Sequence, residues 1–117
     1  MPKNDSPKED LEQINFVAWF KYNYPDMLIN HSPAGGTRHM GEAIKFKRLG
    51  VCKGWPDLEF PSLGKRGLFI ELKRVKGGVV SKEQKEVMSK LTEIGYTCYV
   101  AKGFEEAKKI ILKHIDN

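Results

Sequence analysis

The chain has 117 residues and a formal net charge of +5, which suits one compact domain, residues 1–117, with a single modest core. The charge is uneven, because residues 38 to 90 hold 13 Lys and Arg against 6 Asp and Glu. A basic middle favours a polyanionic partner, although a lysine-rich surface that only maintains solubility is the alternative.

No membrane or export segment is expected. No apolar run reaches the roughly eighteen residues that span a bilayer, and no signal peptide follows Met1. We therefore expect an intracellular protein with no membrane contact, in the cytoplasm, or in the host cell cytoplasm if a phage encodes it.

The two cysteines do not indicate a disulfide framework or a zinc site. Cys52 and Cys98 are far apart, with no C-x-x-C spacing and no His pair at metal-ligand spacing. We expect both to be buried, reduced thiols.

A first helix is predicted up to about Tyr22, after a polar stretch, residues 1–5, that we expect to be frayed. Ser6-Pro7-Lys8-Glu9 is typical of a capping box with Pro at the first helical position. An apolar stripe is widened by aromatic residues, so the second half should be buried nearly all round, whereas Glu9 and Glu12 should lie in an exposed first half. The stripe consists of Leu11, Ile14, Val17 and Ala18, and the residues that widen it are Phe16, Trp19 and Phe20.

A short strand and a second helix follow. Met27-Leu28-Ile29 has strand length and leads to His31 and the Gly35-Gly36 turn. The second helix is predicted over Glu42 to Leu49, ending at Gly50. Its inward residues should be Ala43, Phe46 and Leu49, and its outward residues Lys45, Lys47 and Arg48.

Two strands that each carry an acid form the centre of the chain. Leu58 and Phe60 alternate with polar residues, and Gly64-Lys65-Arg66-Gly67 supplies a hairpin turn before the buried run 68–70. Because side chains alternate along a strand, Glu71 and Lys73 should share one face at the end of that run. The hairpin should place Asp57 beside Glu71.

The remaining elements are a helix over Ser81 to Ile94, a strand over Tyr96 to Ala101 and a helix over Phe104 to Ile115. The third helix should bury Val87, Met88, Leu91 and Ile94, and the fourth Ala107, Ile111 and Ile115. The order of elements gives an α/β sandwich with a mixed central sheet flanked by helices.

Two carboxylates at one sheet end repel each other unless they share a cation. Hard oxygen ligands are those that Mg²⁺ prefers, and Lys73 places an ammonium beside the same pair. A metal, two acids and a lysine suit phosphodiester hydrolysis.

These residues resemble a known nuclease signature. Pro56-Asp57, thirteen residues, then Glu71-Leu72-Lys73 resembles PD-(D/E)XK, and further matches resemble the VRR-Nuc (virus-type replication-repair nuclease) branch from Glu12 to Gly103. The further matches are His31-Ser32-Pro33-Ala34-Gly35-Gly36-Thr37-Arg38, Glu42-Ala43, Gly50-Val51, Gly54-Trp55, Gly77-Gly78, Ser81-x-x-Gln84 and Leu91-x-x-x-Gly95-Tyr96.

The resemblance implies a restriction-endonuclease-like fold and a DNA endonuclease that uses Mg²⁺ or Mn²⁺ and no small-molecule cofactor. It implies metal ligation by Asp57, Glu71 and the Leu72 carbonyl, with Lys73 orienting the attacking water or neutralising developing charge. Glu12 resembles the acid that a first helix often adds to the site, with Glu9 as the rival. The alternative is that both acids only favour the helix N-terminus electrostatically.

The resemblance also places Gln84 at the metal water, whereas the residues alone indicate a capping box with Ser81; both can hold. Candidate DNA contacts are Gly35, Gly36, Arg38, Lys45, Arg48, Arg74 and Lys76. An ordinary loop and a solvated helix face are the alternatives for the first five. His31 is interpreted as a structural hydrogen-bonding residue.

Relatives of this size look like structure-selective enzymes that cut branched DNA, such as four-way (Holliday) junctions or flaps. The alternatives are a non-catalytic DNA-binding or nuclease-inhibiting module on the same fold, or a restriction-type duplex endonuclease. Two incisions require two sites, which predicts a homodimer. Surplus apolar surface on Phe16, Trp19, Phe20, Tyr22 and Trp55 would form its interface, unless the core uses all five.

Overall fold

The computed structural model describes residues 8–32 and 40–115, with side chains of the second range from residue 44 onward. Within these ranges the elements follow the predicted order. They are α1 (Glu9–Asn23), β1 (Asn30–His31), α2 (Met40–Arg48), β2 (Leu58–Phe60), β3 (Leu68–Lys73), α3 (Lys82–Glu93), β4 (Thr97–Lys102) and α4 (Gly103–Ile115). None of these helices combines the length and the apolar character needed to cross a membrane.

Several predictions concern residues outside the described ranges, or side chains that are not described. They are the frayed residues 1–5, the cap at Ser6 and Pro7, the turn and contacts at Gly35, Gly36 and Arg38, and the inward side chain of Ala43. Within the described part, α1 begins at Glu9, and the Lys8 side chain makes no capping hydrogen bond.

The strands form one mixed sheet in the order β1-β2-β3-β4. β1–β2 and β2–β3 are antiparallel, and β3–β4 is parallel. In the antiparallel β2–β3 hairpin, Leu58 pairs with Ile70. Asp57 precedes Leu58 and Glu71 follows Ile70, so this register places the two acids opposite each other. The predicted hairpin and the mixed α/β sandwich are both confirmed.

β3 separates a hydrophobic face from a polar one. Leu68, Ile70 and Leu72 are fully buried in the core that α1 and α4 cover. On the opposite face Phe69 packs edge-on against Trp55 and Tyr96. Glu71 and Lys73 follow Phe69 on that face because side chains alternate along a strand.

The buried face of α1 differs from the predicted stripe. Leu11 and Ile14 are 51% and 63% exposed, whereas Glu12, Phe16 and Phe20 are buried. Both rings pack against Phe60, and large rings bury more apolar area than the aliphatic residues of the stripe. The expectation that Glu12 lies in an exposed half of the helix was therefore wrong.

β1 lies three residues later than predicted. Asn30 pairs with Glu59 and His31 with Leu58, whereas Met27 and Ile29 pack half-buried against the core. Met27 and Ile29 thus contribute to core packing rather than to strand pairing, whereas Leu28 is 70% exposed.

α2 begins two residues earlier than predicted and ends as expected before Gly50. The Val51 N–H donates to the Phe46 carbonyl and the Gly50 N–H to the Lys47 carbonyl, the pair of bonds that defines a Schellman motif. Leu49, predicted to point inward, is 69% exposed, because no other described helix or strand packs against α2.

The C-terminal half follows the prediction closely, with Ser81 capping α3 and with Ala107 and Ile111 buried on α4. The predicted buried stripe of α3 is correct only for Leu91: Val87 and Met88 are half-buried, and Ile94, the C-cap, is 62% exposed.

The cysteine prediction was correct in part. Cys52 and Cys98 are free thiols, but Cys52 is exposed and Cys98 is only half-buried. Cys52 lies in the turn between α2 and β2, outside the packed sheet, which is why it is not buried.

Candidate active site

Three charged side chains are buried where β3 ends. Asp57, Glu71 and Lys73 are 8%, 1% and 8% exposed. Two buried carboxylates and one ammonium leave one negative charge uncompensated if both acids are ionised. Because an unpaired buried charge is costly, the cluster is expected to hold a proton or a further cation.

Main-chain geometry holds the first carboxylate. The Leu72 N–H donates to Asp57 Oδ2 at 2.7 Å. This hydrogen bond joins the residue before β2 to the C-terminal end of β3. The Asp57 carboxylate is therefore held beside Glu71.

The two oxygens of Glu71 differ in their surroundings. Oε2 accepts a hydrogen bond from Gln84 Nε2 at 2.8 Å and lies 3.3 Å from Lys73 Nζ. Oε1 is buried and has no hydrogen-bond partner among the described residues. A buried acceptor without a donor is uncommon in folded proteins and indicates a missing ion, water or proton.

Gln84 forms the predicted capping box, and its side chain also contacts a site carboxylate; its predicted place at the metal water stays a prediction. The Ser81 N–H donates to Gln84 Oε1 at 2.8 Å, and the Gln84 N–H donates to Ser81 Oγ at 3.1 Å, which completes a capping box. Since the cap occupies Oε1, the amide nitrogen is directed towards Glu71. The start of α3 thus orients one site carboxylate.

Two glycines allow the elements to approach this closely. A Cβ on Gly54, whose φ is +90°, would lie 2.6 Å from the Glu83 carbonyl carbon and 2.9 Å from the Gln84 nitrogen. A Cβ on Gly78 would lie 2.8 Å from Lys73 Cβ. Both glycines belong to the matching segments Gly54-Trp55 and Gly77-Gly78, although no site role was predicted for either.

The two acids of α1 have different surroundings. Glu12 Oε1 accepts a hydrogen bond from the Phe104 N–H at 2.7 Å, which ties α1 to the start of α4. Glu9 is half-buried, and its pKa is raised first by burial and then by the negative charge of Asp57. Electrostatics therefore link Glu9, rather than Glu12, to the carboxylate pair.

The donor set suits a hard cation that keeps some of its water. In the described part of the chain, no three His, Cys, Asp or Glu side chains converge closely enough to hold a metal on their own. Two carboxylates remain, one with a free buried oxygen. Mg²⁺ is commonly bound through one or two carboxylates plus waters, so the residues fit such an ion.

Without a cation the pair is expected to hold a proton. Burial, then the charge of Asp57, raises the pKa of Glu71 to about 8, against the opposing effect of Lys73. Burial also raises the pKa of Asp57, although the Leu72 hydrogen bond lowers it. Glu71 should therefore be largely protonated at neutral pH in the metal-free protein.

Because Glu71 holds this proton, the folding stability of the metal-free protein should depend on pH. The folded pKa of Glu71, about 8, lies above its ordinary value of 4.5, so the folded state binds more protons between these values. Its stabilisation should be complete below about pH 4.5 and be lost as the pH rises through about 8. Thermal unfolding in EDTA should show a melting temperature that falls over this range.

The matched variant is Glu71→Gln, which keeps an oxygen to accept from Gln84 but cannot ionise. Its melting temperature should fall less over the same pH range. Parallel profiles for the two proteins would show that Glu71 does not hold this proton.

The predicted DNA contacts in the described ranges lie on the surface. Lys45, Arg48 and Lys76 are exposed, and Arg74 is half-buried directly after β3. They do not enter the carboxylate cluster, which agrees with roles in affinity.

His31 has structural hydrogen bonds. Its Nδ1 lies 2.9 Å from the Asp57 carbonyl oxygen and 3.1 Å from Gln13 Nε2. With a proton on Nδ1, His31 donates to the Asp57 carbonyl and ties that main chain to β1; without that proton, Nδ1 instead accepts from Gln13 Nε2 of α1. Gln13 was not predicted, because nothing in its local spacing indicates a partner 18 residues away.

Comparison with known proteins gives one family. The VRR-NUC domain family matches residues 7–105 of this chain. A solved structure described as a VRR_NUC domain protein superposes with a TM-score of 0.80 at 31% sequence identity, covering 97% of this chain and 92% of that chain. No curated protein matches the sequence.

Proposed function

Because the chain belongs to the VRR-NUC domain family and carries its nuclease-type domain, we propose that it is a metal-dependent endonuclease that hydrolyses DNA phosphodiester bonds. The observation that supports this most strongly is Glu71 Oε1, a buried oxygen that accepts no hydrogen bond in the described structure beside Asp57. A cation would satisfy that oxygen, as a proton shared with Asp57 does when no cation is bound.

Asp57, Glu71 and the Leu72 carbonyl would hold Mg²⁺ or Mn²⁺. Of the α1 acids, Glu9 is the better candidate for a further ligand, because the Glu12 carboxylate already accepts the Phe104 N–H. When bound, a divalent ion lowers the pKa of water and offsets negative charge on the phosphate.

Residues of the chain itself would position the attacking water and the two carboxylates and would neutralise charge on the phosphate. The Lys73 ammonium, 3.3 Å from Glu71, would orient the attacking water or offset charge that develops on the phosphate. The Gln84 amide holds Glu71 and the Leu72 N–H holds Asp57, so neither carboxylate must reorganise when substrate binds. Burial strengthens each of these interactions, because charges attract more strongly at low dielectric.

We propose branched DNA as the preferred substrate, four-way junctions or flaps among them. The exposed cations of α2 can contact phosphates, and such contacts carry no sequence information. Linear duplex, flap, splayed-arm and four-way substrates of matched sequence should be compared with Mg²⁺, Mn²⁺ and EDTA. Cleavage should require metal, favour branched substrates and weaken steeply with salt.

The outcomes of this comparison separate the alternatives. Binding without metal-dependent cleavage would indicate a non-catalytic module on the same fold. Cleavage of one short sequence in plain duplex would favour a restriction-type enzyme.

We further propose a homodimer, since paired incisions require two sites related by symmetry. Light scattering at micromolar concentration should give twice the 13.4 kDa of one chain. Phe16 and Phe20 are not available for the interface because they lie in the core, and Trp55 packs on Phe69. Of the predicted interface residues, Tyr22 is 86% exposed, and Leu11 and Ile14 are also exposed on α1. A mass of 13.4 kDa with full activity would contradict the dimer.

A further inference from the structure

Helix α2 presents an exposed side to solvent. No other helix or strand in residues 8–32 and 40–115 packs against it. Ile44 is 56% exposed and Leu49 is 69% exposed. Single exposed aliphatic residues are ordinary, but two on neighbouring turns of an unpacked helix call for an explanation.

Ile44 and Leu49 share their side of the helix with two cations. Residues spaced by one, four and five positions lie on one side of an α-helix, which groups Ile44, Lys45, Arg48 and Leu49. These four side chains line one shallow depression. We call this surface the α2 face: two aliphatic side chains beside two basic ones.

A second copy of this chain is a poor occupant for the α2 face. In a two-fold interface the same patch meets itself, which would bring Lys45 and Arg48 close to their own counterparts. Like charges placed together across an interface are strongly unfavourable. The charge of the α2 face instead complements a polyanion.

Branched DNA offers both an apolar surface for the aliphatic side chains of the α2 face and phosphates for its basic side chains. In plain duplex the bases are stacked, and the outer surface is mainly phosphate and sugar. At a branch point unstacked bases expose apolar rings, and aliphatic side chains are known to occupy opened base steps. Flanking phosphates would lie within reach of the basic side chains.

We propose that the α2 face binds exposed bases at a DNA branch point, with Ile44 and Leu49 against the bases and Lys45 and Arg48 on the phosphates. This inference rests on the proposed function and deepens it, because it assigns the discrimination between branched and linear DNA to named side chains. Ile44 and Leu49 are specificity-determining residues in this account, and they do not contact the Asp57–Glu71 pair.

Binding by an Asp57→Asn protein tests the inference without cleavage. The measured quantity is the ratio of the Kd for linear duplex to the Kd for a four-way junction of matched sequence. Adding Ile44→Ser and Leu49→Ser should lower this ratio about tenfold, which corresponds to about 1.4 kcal/mol of lost apolar burial against the bases. The control Ile94→Ser, another aliphatic residue that is 62% exposed, should leave the ratio unchanged.

A second readout reports the base contact itself. With 2-aminopurine at the branch point, binding of the Asp57→Asn protein should raise the fluorescence, and the serine variants should abolish the rise. Ile44→Val with Leu49→Met, which keep apolar side chains, should retain both the rise and the ratio. Unfolding curves of the serine variants should match that of the parent, because both positions are exposed.

Failure of the inference can be distinguished from failure of the proposed function. An unchanged ratio in the serine variants, with junction cleavage intact in the wild type, overturns the role of the α2 face alone. An equal loss of the ratio with Ile94→Ser also overturns it. A wild-type protein that neither binds nor cuts DNA overturns the proposed function, and this inference with it.

Discussion

Replacing Asp57 with Asn should reduce DNA cleavage by about three orders of magnitude while DNA binding is retained. The substitution keeps the size of the side chain and an oxygen to accept from the Leu72 N–H, but it removes one of the two buried negative charges. Losing a ligand of a charge-stabilising cation is expected to cost about 4 kcal/mol of barrier, and each 1.36 kcal/mol is about tenfold in rate. Single-turnover cleavage with saturating protein would measure the chemical step.

The matched control is Glu59→Gln, which also removes one negative charge, two residues after Asp57. Glu59 is half-buried in β2. Its variant should cleave within about twofold of the wild type, because Glu59 is not among the described hydrogen-bond and ion-pair partners of Asp57 and Glu71. Cleavage at the parental rate by Asp57→Asn would mean that the site is wrongly assigned.

Gly54→Ala should lower both stability and cleavage, although the glycine touches neither carboxylate. Its added methyl group would lie 2.6 Å from the Glu83 carbonyl carbon, so the start of α3 must move. Overpacking of this kind costs about 1–3 kcal/mol. Because Gln84 lies at that helix start and holds Glu71, a small displacement should cost about 10- to 100-fold in rate.

Gly50→Ala is the control that separates the effect of the close contact with α3 from the effect of a positive φ. Gly50 also has a positive φ, +100°, but a Cβ there has nothing within 4 Å. Both variants therefore carry a conformational cost, and only Gly54→Ala displaces α3. In chemical denaturation and cleavage assays, Gly54→Ala should lose more stability and more activity than Gly50→Ala. Equal losses of stability and equal cleavage rates for the two variants would contradict the packing argument.

The core of the candidate site could be predicted because it depends on local rules. A strand period of two places Glu71 and Lys73 on one face, and the hairpin register carries Asp57 to the same level. Both follow from residues within one hairpin, without knowledge of how the rest of the chain packs. The α3 cap was predictable for the same reason, since Ser81 and Gln84 are three residues apart.

The surroundings of the site could not be predicted because they depend on how distant elements dock. α1 has apolar residues on nearly every side, and its buried face was selected by contacts of Phe16 with Phe60 and Phe104. That rotation sets the surroundings of its acids: Glu12 accepts a hydrogen bond from the start of α4, whereas burial and then the charge of Asp57 raise the pKa of Glu9. Sequence spacing alone cannot choose between them.

The most direct test of the central claim is calorimetric titration of Mn²⁺ into three proteins without DNA. If Asp57 and Glu71 hold the ion, Asp57→Asn should weaken Mn²⁺ binding at least about tenfold, whereas Lys73→Ala, which removes a buried positive charge 3.3 Å from Glu71, should leave binding as tight or make it tighter. Binding by Asp57→Asn that equals the wild type, or binding lost equally in both variants, would contradict a metal site formed by this pair.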